Sequence, residues 1–357
     1  NYGKLGNGST SSSKAPVVVS GITTAQQVGV GSDHSCAVLS DKTVKCWGRN
    51  NLKQLGDGTL TDRSTPVTVS GVTNASMVSV STYHSTGYGF SCALLENGTV
   101  KCWGRKGSGF LGDGTTAGQF SPVSVSGLSS ASQGEAYRHT CVVEGGAVKC
   151  WGDNLNYGQL GDGSTTNRST PVSVSGISTA TKVATGSGHS CALLDNKSIQ
   201  CWGGGNYFIL GNGSTSSSST PVNINNLTNF KDIGVGGGES CGVLDNGSVA
   251  CWGYYVTENS ASSLNGYYYT QPTVIPGISN AKLVGVGASN PHACALHVNG
   301  TVSCWGRNGS NGQLGIGSNA LWTTSSTPQN VTGLTGAVSL SVRGNTSCAL
   351  LSSGAVK

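Results

Sequence analysis

Cys36-Ala-Val-Leu-Ser-Asp-Lys-Thr-Val-Lys-Cys46-Trp47-Gly48 is two short apolar runs joined by a polar turn, with a cysteine in each run. That pattern is a β-hairpin. The same phrase recurs at Cys92–Gly104, Cys141–Gly152, Cys191–Gly203, Cys241–Gly253 and Cys294–Gly306, and it begins once more at Cys348. Its tryptophans, from Trp47 to Trp305, are spaced by 56, 48, 51, 50 and 53 residues. Units of that period account for all 357 residues and leave no room for a second domain.

Each unit holds four short strand-like runs. In the second they are Ser76–Val80, Cys92–Leu95, Thr99–Trp103 and Pro122–Val125, separated by Gly-Val-Thr-Asn, Glu-Asn-Gly and Leu-Gly-Asp-Gly turns. One four-stranded sheet of this size cannot bury both faces alone, so the units must stack. The expectation is an all-β, seven-bladed β-propeller with four-stranded antiparallel blades, one domain over residues 1–357. Residues 1–22 read as the second half of a repeat and residues 338–357 as a first half, so the last blade is expected to be closed by both chain ends.

Taken in order, Gly-x-x-His-Ser-Cys-Ala-Leu, a hairpin, Cys-Trp-Gly-x-Asn, Gly-Gln-Leu-Gly-Asp-Gly and Thr-Pro-Val resemble the regulator of chromosome condensation repeat. The resemblance covers essentially the whole chain and implies seven-bladed propellers. The paired cysteines make it similar to the secreted prokaryotic members. The fifth unit departs most, because after Trp252 the Gln-Leu-Gly element gives way to a tyrosine-rich insertion.

Thirteen cysteines form six pairs plus Cys348. Cys36 goes with Cys46, Cys92 with Cys102, Cys141 with Cys150, Cys191 with Cys201, Cys241 with Cys251 and Cys294 with Cys304. Counting inward from Cys141 and Cys150 sets Val142 against Lys149, Val143 against Val148 and Glu144 against Ala147, around a two-residue Gly145-Gly146 turn. The two cysteines then face each other across paired strands. Two thiolates per site with no Cys-x2-Cys spacing make a poor zinc shell, so disulfides are expected and no metal. Each such short loop contributes roughly 2–3 kcal/mol at best. Six of them persist only in an oxidising compartment, which implies an extracellular or cell-surface location. Cys348 has no mate, and the repeat register would put Cys-Trp-Gly directly after Lys357 in a longer product.

Charged residues make up 10% of the chain and the net charge is +5, without clustering. That is no footprint for nucleic acid or an anionic membrane. No run approaches the roughly 18 apolar residues of a membrane-spanning helix.

His34, His139, His189 and His292 each stand two residues before a blade cysteine, with His84 taken for the same place ahead of an insertion, and Glu239 and Asn345 as substitutes. Hydrogen bonding at strand entrances explains them better than a metal or proton site. His297 falls outside the pattern and reads as a surface residue. The Asp-Gly steps at Asp57, Asp113 and Asp162 read as turns, since Asn7, Asn212 and Ile316 share the slot and no calcium-loop run occurs. Six identically placed tryptophans read as core packed beside the disulfides.

No catalytic triad, phosphate loop or carboxylate pair stands outside the repeat grammar, so neither an enzyme nor a cofactor is expected. The residues that break the grammar are aromatic: Tyr83, Tyr88, Phe90, Tyr207, Phe208, Tyr254, Tyr255, Tyr267, Tyr268, Tyr269 and Trp322. Exposed loop tyrosines and tryptophans commonly anchor partners, and at blade edges they also cap packing. The function expected is a non-catalytic extracellular binding or assembly module, an adhesin head or a subunit of a surface fibre. Its partners would be a protein or polysaccharide at a cell surface, or other copies of itself. The family resemblance implies two alternatives, a guanine-nucleotide exchange factor-like regulator and a secreted enzyme inhibitor.

Overall fold

The structure, a computed structural model, describes residues 2–81, 89–105, 107–116, 119–255, 267–288, 291–309, 312–317 and 323–357. Six four-stranded antiparallel sheets follow one another, each a meander in sequence order. We call them blades one to six; they span residues 25–68, 75–124, 131–173, 180–223, 230–274 and 281–330. In blade one the strands are Ala25–Val30, His34–Leu39, Val44–Gly48 and Arg63–Thr68. The second strand is buried throughout, whereas the fourth has no buried residue, so burial falls from the middle of each blade to its rim.

The first strands of blades one to six and the strand Ala337–Arg343 form a closed circuit of neighbours, with Ala337–Arg343 touching blade one as well as blade six. This arrangement is a propeller. The expected number of blades is corrected: six sheets have four strands, and the last sheet, Ala337–Arg343 with Thr346–Leu351, has two. The two chain ends do meet at this sheet, where Val19 and Ile22 share one apolar cluster with Cys348, Leu350 and Val356. Only residues 355–357 lie along the free edge of Thr346–Leu351, through a single bridge between Leu350 and Val356. Three residues are too few for a ladder. Consequently the N-terminal segment forms no strand there, and the two ends meet through isolated bonds such as Val19 N–H to the Val356 carbonyl at 2.9 Å.

Cys-Trp-Gly has a structural reason in each blade. The cysteine faces its mate across paired strands, Cys36 opposite Cys46 with Cα atoms 4.0 Å apart, and Cys92 opposite Cys102 at 4.1 Å. All six expected disulfides are present: Cys36–Cys46, Cys92–Cys102, Cys141–Cys150, Cys191–Cys201, Cys241–Cys251 and Cys294–Cys304. The short hairpin pairs Val142 with Lys149, Val143 with Val148 and Glu144 with Ala147, as expected. The ladder between third and fourth strands then slips: Cys46 pairs with Val67 but Gly48 with Arg63, and Cys102 with Val123 but Gly104 with Gln119. That bulge frees the intervening tryptophan from the ladder. Gly48 sits at φ 109°, where an added Cβ would come within 2.4 Å of the Asp33 carbonyl, so only glycine fits.

The freed indole packs against the preceding blade. Trp103 shares its apolar cluster with the Cys36–Cys46 disulfide, Trp151 with Cys92–Cys102, Trp202 with Cys141–Cys150 and Trp252 with Cys191–Cys201. All six blade tryptophans are essentially without solvent exposure. The core is therefore a series of interfaces between blades, as the stacking argument requires.

Candidate functional site

In blade five the third and fourth strands run on past Gly253↔Tyr269 by two further pairs, Tyr254↔Tyr268 and Tyr255↔Tyr267. The extension places Tyr254 and Tyr268 side by side, their ring centroids 5.8 Å apart and their planes crossed. From blade four, a one-turn 3-10 segment, Asn206–Phe208, brings Tyr207 onto the pair. Tyr207 stacks on Tyr268 at 5.5 Å with planes 10° apart and meets Tyr254 edge-on at 5.9 Å, while Phe208 lies 6.3 Å from Tyr268. These are preferred aromatic geometries. Yet Tyr207 remains 52% exposed and Tyr268 38%, so the cluster offers its faces to solvent.

Backbone strain is concentrated at the same point. Tyr207 and Phe208 have φ of 64° and 63°, the left-handed region that bulky residues avoid. Such conformations persist where surrounding structure over-determines them, and they gather at ligand sites. Four of the expected partner-binding residues, Tyr207, Phe208, Tyr254 and Tyr268, are thus brought together. Tyr269 is not one of the group; it is half-buried and packs into the core on both sides of blade five. Tyr88, Trp322 and the side chains of Tyr255 and Tyr267 lie outside the described residues.

The histidines occupy a different place and do different work. Each reaches the next blade's serine: His34 Nε2 to Ser91 Oγ at 2.8 Å, His139 to Ser190 at 2.6 Å, His189 to Ser240 at 2.8 Å and His292 to Ser347 at 3.2 Å. Ser91 and Ser190 donate onward to the carbonyls of Gln54 and Gln159, which also accept the indole N–H of Trp103 and Trp202. A serine that donates its proton must accept from the imidazole, so His34 and His139 carry theirs on Nε2. Burial pushes His139 and His189 down to about 3, which keeps both rings neutral.

Three expectations about this belt are corrected. Phe90, not His84, stands at the head of the second strand of blade two, where it stacks on Phe110; His84 lies outside the described residues. In the last sheet the place belongs to Thr346 rather than Asn345. His297 is buried, held by Asn280 at 2.6 Å and Ser303 at 2.8 Å. The Asp-Gly steps act as turns: Asp57 accepts from the Thr59 backbone at 3.0 Å and pairs with Arg63, and Asp162 does the same with Ser164 and Arg168.

Glu239 takes the histidine place in blade five, where the next blade offers Ala293 instead of a serine. Its carboxyl lies near the sulfurs of Cys241 and Cys251. These sulfurs are bonded to each other, so they have neither protons to donate nor thiolates to give a metal. Burial raises Glu239 to about 8. The folded state therefore holds a proton that the unfolded chain loses above its ordinary carboxyl range, and stability falls as pH rises from about 4.5 to 8. Glu239→Gln is expected to abolish that fall, leaving the variant about 2–4 kcal/mol more stable than the parent above pH 8 and nearly equal at pH 4. Urea unfolding midpoints measured across that range check it; parallel pH profiles would refute it.

Comparison with known proteins settles the lineage. Two models, both of the "Regulator of chromosome condensation (RCC1) repeat", match this chain, one at residues 1–38, 43–94 and 145–193, the other at residues 25–54, 82–109, 180–208 and 284–313. The chain belongs to the RCC1 repeat family. Human WBSCR16 superposes with a TM-score of 0.75 at 20% identity, covering 90% of this chain and 85% of that one. Prp20p of Saccharomyces cerevisiae, studied for its binding to Gsp1p and histones, gives 0.73 at 20% identity, with 89% and 80% covered. At that identity these likenesses bear on the fold.

The RCC1 repeat grammar is silent about the hub of the ring, because the positions there differ from blade to blade. Gln27 and Gln133 each clasp the next blade's backbone with both amide atoms, at Val78 and Val183. Lys182 of blade four pairs with Asp232 of blade five, which also accepts from the Val284 N–H of blade six at 2.8 Å. Arg343, at the end of its strand, reaches across the circuit to Glu135 of blade three and to the Thr185 carbonyl of blade four, with its guanidinium 5.5 Å from the Tyr137 ring. None of these residues stands out in the sequence as functional.

Proposed function

We propose that this RCC1 repeat propeller is a non-catalytic extracellular binding or assembly module, an adhesin head or a fibre subunit at a cell surface. Residues 1–357 act as one unit in this reading. The observation that carries it is the cluster of Tyr207, Phe208, Tyr254 and Tyr268, in which Tyr207 and Tyr268 are exposed and Tyr207 and Phe208 stand on strained backbone, at the junction of two disulfide-bonded blades. Rings already fixed by mutual stacking lose little entropy on binding. Among them only hydroxyl groups are polar, which suits a neutral partner with flat apolar faces, a sugar ring of a polysaccharide or an aromatic side chain of a protein. Six disulfides support an oxidising compartment. The same bonds count against a nucleotide-exchange regulator working inside the cell.

The double variant Tyr207→Ala/Tyr268→Ala is expected to lower affinity by about tenfold or more, since such anchors are each worth about 2 kcal/mol. Both residues are partly exposed, so its melting temperature should change little. A polysaccharide array and sedimentation velocity, run on parent and variant, read glycan binding and self-association. Unchanged binding in both assays would remove the proposal's main support.

A further inference from the structure

In every blade the residue after Cys-Trp-Gly donates its N–H to the carbonyl of the residue ahead of the second strand. Arg49 donates to Asp33 in blade one at 2.9 Å, Gly204 to Gly188 in blade four and Tyr254 to Gly238 in blade five, both at 2.7 Å. The bond holds these two places together at one end of the ring, the end where the first strand joins the second and the third joins the fourth. Charge stands there in blades one, two, three and six, as Asp33 with Arg49, Arg105, Arg138 with Asp153, and Arg307. Blades four and five, side by side, break the series. Among the described residues their connections at this end, residues 186–188, 204–217 and 236–238, together with Tyr254 and Tyr268, hold no charged residue. Glu239, next to Gly238, is 5% exposed and lies near the sulfurs of its own blade.

This sector carries a second aromatic platform. Tyr157 and Tyr207 each stand four residues before the glycine that seats the next blade's tryptophan, Gly161 under Trp202 and Gly211 under Trp252, where an added Cβ would lie 2.7 and 2.9 Å from the indole. They therefore hold one place in successive blades. Tyr207 reaches forward onto Tyr254. Tyr157 reaches forward onto the matching Gly204 and its partner Gly188, where an added Cβ would lie 3.5 and 3.1 Å from the phenol ring. Without side chains the two glycines let that ring, itself half-buried, lie against backbone. Only Gly205 and Asn206 separate Gly204 from Tyr207 in the chain. The floor of one platform and the Cα of the other are therefore at most about 11 Å apart.

We propose that this charge-free sector binds an uncharged polysaccharide chain, with one sugar on the cluster of Tyr207, Tyr254 and Tyr268 and another on Tyr157. The inference rests on the reading of that cluster as a binding site and adds to it the class of ligand and a second platform. The negative face of a phenol ring attracts the C–H groups on the flat face of a sugar. A charged partner would give up its water here with no counter-charge to meet. A protein anchor fills an apolar pocket, yet among the described residues the exposed large apolar side chains at this end of blades four and five are Tyr207 and Tyr268, with no exposed aliphatic beside them. Asn206 and Ser216 are exposed there and offer an amide and a hydroxyl to sugar hydroxyls. Two platforms along one path suit a polymer whose unit recurs.

The probes are cello-hexaose, chito-hexaose and manno-hexaose, each with its disaccharide, and the hexamer of galacturonic acid as the charged control. Saturation-transfer NMR on the whole chain is expected to show at least one neutral hexamer bound, with the C–H protons of its flat face nearest the protein. That hexamer should bind about tenfold tighter, or more, than its disaccharide. Its affinity should not change with salt, since no charge is paired. Tyr157→Ala should remove the advantage of the hexamer and leave disaccharide binding as it was, while Tyr157→Phe, which keeps the ring, should retain it. Melting temperatures check that both variants fold, and the comparison of chain lengths on the unaltered protein decides if the alanine variant does not.

No neutral hexamer bound, a hexamer no tighter than its disaccharide, tighter binding of the galacturonic acid hexamer, or full hexamer affinity in Tyr157→Ala would each overturn the inference. If no sugar binds but Tyr207→Ala/Tyr268→Ala abolishes self-association, the binding-module reading stands and the polysaccharide alone is refuted.

Discussion

Trp202→Ala is expected to destabilise the protein by about 3–5 kcal/mol, the range for emptying a fully buried indole site. The indole has no solvent exposure, lies in one cluster with the Cys141–Cys150 disulfide, Leu160 and Ile177, and donates to the Gln159 carbonyl at 2.9 Å. Its removal therefore leaves a cavity at the interface of blades three and four and takes away one of the two hydrogen bonds to the Gln159 carbonyl, which keeps that of Ser190. The surroundings have little means to collapse, because the disulfide on one side and the Gly161 backbone on the other are both held. Trp202→Phe should recover part of the loss by refilling volume without the N–H. Denaturant midpoints under non-reducing conditions measure both; a loss below about 1 kcal/mol for the alanine variant would mean the blades are not held together by these seats.

Arg343→Ala carries the second large effect. The guanidinium is 5% exposed and ties the two-stranded sheet to Glu135 and to the Thr185 carbonyl on the far side of the circuit. Removing one member of a buried pair leaves the other uncompensated, at about 3–5 kcal/mol. Glu135 keeps some contact with solvent, which screens the remaining charge, so about 2–4 kcal/mol is expected here. Adding Glu135→Gln to Arg343→Ala should return part of that loss, because the orphaned charge goes with it. A double variant no more stable than the single one would contradict an ion pair at the hub.

The repeat makes most of the fold legible in the amino-acid order. Cys-Trp-Gly encodes a disulfide, an indole for the neighbouring blade and a bulge glycine, and all three recur because every blade needs them. Counting phrases misled at Cys348. The phrase starts there, but a strand exists only where a partner edge and enough residues meet, and residues 355–357 supply a single bridge. In blade two the place two residues before the cysteine belongs to Phe90, which stacks on Phe110 and makes no side-chain hydrogen bond there, while His84 lies outside the described residues. The tyrosines of blade five announced themselves by breaking the pattern, yet nothing in the spacing told Tyr268, on the surface, from Tyr269, packed inward. Strand alternation separates them once the register is known. Arg343 left no signal, since its partners lie about 160–210 residues away in the sequence.

The disulfides close loops within hairpins and never join one blade to another. The reversals of these hairpins, at Ser40 and Asp41 or at Asn196 and Lys197, are exposed and so open to a protease. A cut at either falls inside a ring of covalent bonds, so both fragments remain in one molecule while the flanking indole seats stay filled. The chain is thereby proofed against nicking at these exposed corners, a property that a scaffold cross-linked between blades would lack.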